Sequence, residues 1–323
     1  MSLSRTELRD AARKAFEGGP APEAGQSWAT ITEMGFLMMA VPEALGGLGL
    51  GTEATGVIHN ELGRALVPGP TIAQMLVIEA LVAAEGLAGR DALLTLAMAG
   101  EVMTASLAGP GGDLTCVPDA DRASHALVIG EARVTLASLA GAAITARDTW
   151  DKTRRLFDVA PTGGELVLAD GAAAAALAER LQAQLLLALA ADSLGGADAI
   201  LGLTIDYLAT RRQFDRPLAL FQALKHRIAD MKTWLAAAEA LFWARAAAPA
   251  PSLAEIGALK AHATNVYRAI TEDAVQLHGG IGLTMEHHCH LFLKRALLNG
   301  ALGGDADHWE AAAGRKALAE AVA

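Results

Sequence analysis

From about residue 173 to its end the chain is rich in alanine and leucine, and its apolar residues recur at i, i+3 and i+4. That spacing favours long helices with one buried face over strands. Small side chains let such helices pack closely, as in a bundle. Three stretches read this way: 173–210 as one helix or two, 221–248, and 252–278. The first 105 residues are also helical in pattern, for example over 6–16 and 53–66. A turn-rich stretch, Val41-Pro42-Glu43-Ala44-Leu45-Gly46-Gly47-Leu48-Gly49, lies between those two. Between 106 and 172 the texture changes. Pro110-Gly111-Gly112 is followed by short β-prone pieces at 126–129, 132–136, 156–159 and 166–168, which predict a small antiparallel sheet domain. The expected architecture is mainly α with a small β domain: a helical domain over 1–105, a reduced β domain over 106–172 and a helical bundle over 173–323.

Hydrophobic residues make up 53% of the 323 and charged residues 19%, too apolar for a disordered chain. So little charge on so large a chain predicts that apolar surface is buried between subunits. The net charge of -10 comes with no basic stripe, which argues against nucleic-acid binding. An anionic ligand would have to be met by a few arginines or by backbone N–H groups. Cys116 and Cys289 are far apart, which implies no disulfide framework and a reducing, cytoplasmic setting. The start has no apolar leader pattern. The longest apolar run, 185–191, is interrupted soon after by Asp192, short of the roughly 20 residues a membrane span needs.

Two segments are more specific than the rest. One is Arg211-Arg212-Gln213-Phe214-Asp215-Arg216-Pro217-Leu218, followed by Phe221-Gln222 and by His226, Ala229-Asp230-Met231. The other is Gln276-Leu277-His278-Gly279-Gly280-Ile281-Gly282-Leu283-Thr284-Met285-Glu286, followed by His290 and Lys294-Arg295. An arginine at a helix end can present a bidentate donor to a phosphate. Phe214 offers a flat apolar face, and Pro217 fixes the turn after it. The Gly279-Gly280 pair lets backbone N–H groups approach a ligand closely. Gln222 and Gln276 can donate and accept at once.

Together these segments resemble the acyl-CoA dehydrogenase family, and Val41-Pro42-Glu43 with Gly46-Gly47-Leu48-Gly49 matches a third family feature. The resemblance covers most of the chain and is poor from about 105 to 172. It implies an acyl-CoA thioester as substrate and FAD as hydride acceptor. It also implies that Arg211, Phe214, Gln222, Gln276, Gly279 and Gly280 reach across an interface to the pyrophosphate and adenosine of a neighbouring subunit's FAD. Asp215 departs from the family, which usually has Gly there. A carboxylate near a pyrophosphate is unfavourable unless it points away or pairs with Arg216.

The family's reaction needs a glutamate base in a dry pocket. By ungapped counting, its usual position falls on Gly303, in Leu302-Gly303-Gly304-Asp305. The alternative position, early in the first long bundle helix, falls on Leu185 or Leu186. Neither can accept a proton. Asp305, two residues further on, is the one nearby carboxylate, and an exposed loop residue is its simpler reading. The middle stretch, Ala108-Gly109-Pro110-Gly111-Gly112-Asp113, lacks the family's acidic glycine- and serine-rich loop, and no aromatic-Ile-Thr segment follows. This pattern resembles the short, non-catalytic subunit of bacterial heterotetrameric acyl-CoA dehydrogenases that act on bulky thioesters such as steroid side chains. The expected partner is a homologous acyl-CoA dehydrogenase subunit in a hetero-oligomer. Two alternatives stay open: a catalytically active homo-oligomer with Asp305 as an unconventional base, and a non-enzymatic scaffold on the same fold.

Glu286-His287-His288-Cys289-His290 has metal-ligand residue types but no second ligand cluster, so it reads as a helix start with histidines at an interface or pocket wall, with Glu286 and His290 on one helix face. Gly46-Gly47-Leu48-Gly49-Leu50-Gly51 follows no strand and reads as a loop rather than a nucleotide site. Asp192 and Arg180 read as core or interface polar groups, and Asp230 and Lys232 as a solvated helix face.

Overall fold

The structure, a computed structural model, describes residues 4–246 and 251–322. It opens with five helices: α1 Arg5–Ala15, α2 Ala24–Glu33, α3 Gly51–Arg64, α4 Thr71–Ala83 and α5 Arg90–Met98. A capping box starts α1, where Ser4 and Glu7 satisfy each other's backbone N–H groups. Seven strands follow: β1 Met103–Ala105, β2 Leu114–Pro118, β3 His125–Ile129, β4 Arg133–Ser138, β5 Ala143–Arg147, β6 Leu156–Ala160 and β7 Glu165–Asp170. Helix α6 Gly171–Thr210, the hairpin β8 Arg212–Gln213 and β9 Arg216–Pro217, and helices α7 Gln222–Ala246, α8 Leu253–His278, α9 Cys289–Ala301 and α10 Ala306–Val322 complete the chain.

The four β-prone pieces named from sequence are β3, β4, β6 and β7. They do not form one antiparallel sheet. A four-stranded sheet runs β1-β3-β4-β7 and a three-stranded sheet runs β2-β6-β5. The β1–β3 pair is parallel, Met103 opposite His125, and every other pair in the two sheets is antiparallel. A parallel pair needs a crossover, here β2 and a short 3-10 turn, and pairing between strands so far apart leaves no mark on local sequence.

The stretch 173–210 is one unbroken helix. Asp170 caps it by accepting from the Gly171 N–H. By length and composition α6 could cross a membrane, yet 83% of its most apolar window is buried inside the protein. It is the central helix, packed against α3, α7, α8 and α9. Glycines allow the closest of these approaches: a Cβ at Gly63 would fall on the Asp192 carbonyl, and one at Gly195 on the Asn60 carbonyl. The expected helix 221–248 is α7, described from Gln222 to Ala246, and positions 247 and 248 lie outside the described residues. One hydrophobic core joins the N-terminal helices, the four-stranded sheet and the first half of α6, and a second lies within α6 to α9.

Candidate cofactor-contacting surface and the base positions

Two helix ends meet at one end of the bundle. The Tyr207 ring, in the last turn of α6, stacks on His278, in the last turn of α8, with centroids 4.5 Å apart, and the Tyr207 hydroxyl donates to the His278 carbonyl at 3.2 Å. The β8–β9 hairpin leaves the α6 end and a 3-10 turn over Gly279–Leu283 leaves the α8 end. Arg211 caps α6, Phe214 sits at the hairpin tip, Gln222 opens α7, Gln276 lies in the last turns of α8, and Gly279 and Gly280 begin the turn. The structure therefore brings all six predicted residues to one end, and all six are exposed. Among the described residues, the side chains of Arg211, Gln222 and Gln276 find no hydrogen-bond partner within the chain. A Cβ at Gly279 or Gly280 would meet open space, so their bareness serves nothing inside this subunit. Three free polar groups, an exposed aromatic and an open glycine pair fit an anionic dinucleotide approaching from outside.

The hairpin gives a physical meaning to position 215. Its two central residues, Phe214 and Asp215, have φ of 52° and 62°, the left-handed pair that a two-residue hairpin turn demands and that glycine meets most easily. Arg212 Nη2 braces the turn by donating to the Asp215 carbonyl at 2.7 Å. Arg216 lies over the Phe221 ring, 3.9 Å from its centroid, instead of pairing with the Asp215 carboxylate.

The positions where a base was sought meet one another. Gly303 has φ +67°, and a Cβ there would lie 3.2 Å from Leu186, 3.4 Å from Leu189 and 3.6 Å from Leu185. Leu185, Leu186 and Leu189 are all buried. The Gly303 N–H donates to the Leu107 carbonyl at 2.9 Å, and the Gly303 carbonyl accepts from Trp309 Nε1 at 2.9 Å and from Gln182 Nε2 at 3.2 Å. The segment after β1 is thus bonded directly to this loop. Asp305 is exposed and caps α10, its carboxylate accepting from the His308 N–H at 2.9 Å. Lys260, fully buried on α8, ties the same loop down by donating to the Gly300 and Gly304 carbonyls at 2.8 and 2.7 Å. Burial pulls its pKa down to about 8, with Asp305 opposing.

Sequence reading missed a buried ionic cluster beside this loop. Arg295 of α9 donates to Asp151 at 2.8 Å and to Asp192 of α6 at 3.0 Å. Arg154, from the β5–β6 connection, donates to Asp192 at 3.0 Å and also bonds Asn299, which donates to Asp192 at 2.7 Å. Two guanidiniums and two carboxylates balance. Burial alone would raise the Asp192 carboxyl, but Arg154, Arg295 and the Asn299 hydrogen bond outweigh it and hold it below its usual range. Asp192 reads from the sequence as a core or interface polar group, and Arg295 stands in the second motif. Asp151 and Arg154 come from the stretch with the poorest resemblance, and no periodic signal marked them.

Glu286 and His290 do not share a helix face, because α9 starts only at Cys289 and Glu286 lies in the turn before it. His278 packs against His287 with ring centroids 4.5 Å apart, and burial raises the Cys289 thiol to about 12. Among the described residues no group of three or more His, Cys, Asp or Glu is placed to hold a metal. Arg180 pairs with Glu79 at 3.0 Å.

Comparison with known proteins places the chain in a family. Residues 2–103 match the acyl-CoA dehydrogenase N-terminal domain, and residues 183–312 match the acyl-CoA dehydrogenase C-terminal domain. The chain is 35% identical over 271 residues to acyl-CoA dehydrogenase IpdE2 of Mycobacterium tuberculosis, covering 83% of this chain and 79% of the relative. Its fold is similar to that of the Tcur3481-Tcur3483 steroid ACAD in a variant form, with TM-score 0.86, 24% identity and 99% of each chain covered. It is also similar to a chain of the ChsE4-ChsE5 complex from Mycobacterium tuberculosis, with TM-score 0.84, 22% identity and 98% of each chain covered. The chain belongs to the acyl-CoA dehydrogenase family of flavin-dependent oxidoreductases.

Proposed function

We propose that this chain is the non-catalytic subunit of an acyl-CoA dehydrogenase, and that it completes the FAD site of a homologous partner while providing no base of its own. The flavin, when bound, supplies the hydride acceptor for α,β-desaturation of a CoA thioester. In this reading Arg211 donates to the pyrophosphate and Phe214 covers the adenosine portion. Gln222 and Gln276 fix polar edges, and Gly279-Gly280 offers backbone N–H groups.

The observation that carries the reading is a contrast. The outward surface is free and open, whereas Gly303, Leu185 and Leu186 are packed against one another with no proton acceptor among them. Asp305 does not repair this, since its carboxylate is engaged as a helix cap at the surface. Two similar structures, the ChsE4-ChsE5 complex and the Tcur3481-Tcur3483 steroid ACAD, each carry a pair of names, which supports a hetero-oligomer. The two cysteines are free, in keeping with a reducing, cytoplasmic location.

Co-purification with a co-expressed homologous acyl-CoA dehydrogenase chain tests this reading. The complex is expected to be yellow with a flavin absorbance band, and FAD occupancy should fall when this chain is left out. A colourless complex that FAD cannot reconstitute would favour a non-enzymatic scaffold.

A further inference from the structure

A cavity of about 650 Å³ lies between α3, α4, α6, α7 and α8. It opens on another face of α6 from Leu185 and Leu186, with Ala183, Gln184 and Leu187 among the residues on its wall. Phe36, Leu76 and Phe242 give it an apolar floor. Protein interiors hold few voids larger than a water molecule, and 300–1,000 Å³ is the usual range for a small-molecule site. A space of this size in an otherwise close-packed molecule therefore asks for an occupant.

Two polar features say what kind. His59, 5% exposed, stands in the wall between this cavity and a much smaller one lined by Arg154 and Asp192, and among the described residues neither of its ring nitrogens has a hydrogen-bond partner. Buried polar groups are almost always partnered, so an orphan imidazole facing a cavity points to a ligand atom. Burial lowers its pKa to about 4, with Asp192 opposing and Arg154 assisting. The ring is neutral near pH 7, offering one donor and one acceptor to an uncharged oxygen. At the rim, Arg180 and Arg245 line the cavity together with the carboxylates Glu79 and Glu179. Each arginine is ion-paired through one nitrogen, to Glu79 at 3.0 Å and to Glu255 at 3.2 Å, and each is partly exposed with further N–H groups available.

We infer that this cavity is a second ligand site of the subunit, taking an apolar carboxylate whose far end carries a hydroxyl or carbonyl oxygen. The carboxylate meets Arg180 and Arg245 at the rim, the apolar body fills the space, and the oxygen bonds His59. The inference goes beyond the cofactor reading and does not depend on it, because none of the six cofactor-contacting residues lines this cavity.

Calorimetric titration of the purified full chain, with any co-purifying subunit, tests it. The probes are ω-hydroxydodecanoate and dodecanoate. Both should bind, the hydroxylated acid more tightly by roughly two- to tenfold, the worth of one net hydrogen bond. His59→Leu should equalise the two. Ala183→Trp, which fills the space from α6, should abolish both while leaving flavin content unchanged, and Thr55→Trp should do so from α3 if the first variant folds poorly. No binding of either probe at millimolar concentration would overturn the inference. So would equal affinities in the wild type, or binding that survives both tryptophan variants.

Discussion

On the proposed reading, position 303 is where the base is missing. A glutamate there would need a left-handed φ and would bring its Cβ to a tight 3.2 Å from the Leu186 side chain. The substitution Gly303→Glu should therefore cost about 1–3 kcal/mol of stability and leave the chain without turnover, because strain of this kind persists only where the surroundings were built for it. Chemical unfolding together with a dehydrogenation assay would check both parts, and a stable, active variant would contradict the packing argument. Arg211 is exposed, and among the described residues its side chain has no partner. Arg211→Ala should weaken FAD retention in the complex, since loss of a charge-assisted, partly buried interfacial contact costs about 2–5 kcal/mol. Flavin content after dialysis reads it directly. At position 215 the hairpin accepts glycine without strain, and removing the carboxylate relieves an unfavourable neighbour for a pyrophosphate. Asp215→Gly should raise FAD retention by roughly two- to fivefold, in proportion to one exposed charge. A fall in retention would show that Asp215 makes a contact of its own.

At the scale of elements, α6 organises the molecule, and the buried cluster around Asp192 joins it to the sheets and to α9. Removing one partner of a buried ion pair strands the other charge, so Arg295→Leu should destabilise by about 3–5 kcal/mol. Helix α3 adds a pH dependence. The His59 pKa is about 4 in the folded protein, against 6.5 in the unfolded chain. Between those values the unfolded chain binds a proton that the folded chain refuses, so stability falls as pH drops through that window, by about 3 kcal/mol from this group. His59→Leu should flatten that part of the profile in denaturant titrations, and an unchanged slope would contradict the assignment.

Much of this was legible in the sequence. The bundle helices showed in their periodicity, and the two glycine- and arginine-bearing turns showed in their residue types, because local rules govern both. The parallel β1–β3 pair, the cluster through Asp151 and Arg154, and the orphan His59 were not legible. Each depends on residues far apart in the chain, and each contributing segment looks ordinary alone. The absence of a carboxylate at positions 303, 185 and 186, on which the proposed reading rests, was visible in the sequence. That Gly303, Leu185 and Leu186 fill the same space required the fold.

For the whole molecule the exposed apolar side chains matter most. Phe214 is 86% exposed, Met285 85% and Leu283 68%, and all three belong to the hairpin and glycine-turn region, while Trp150, Leu318 and Val322 are comparably exposed elsewhere. Apolar groups gathered at one end of a bundle mark a surface that another chain covers. The central claim is that this subunit works only with that partner. Its most direct test is turnover of several CoA thioesters with an artificial electron acceptor. One assay uses the chain alone, saturated with FAD, and the other uses it co-expressed with a homologous acyl-CoA dehydrogenase chain. A missing positioned base removes typically 10²–10⁴-fold of rate. The account predicts turnover only in the mixture, insensitive to Asp305→Asn and reduced by Arg211→Ala. Robust turnover by the chain alone, abolished by Asp305→Asn, would contradict it.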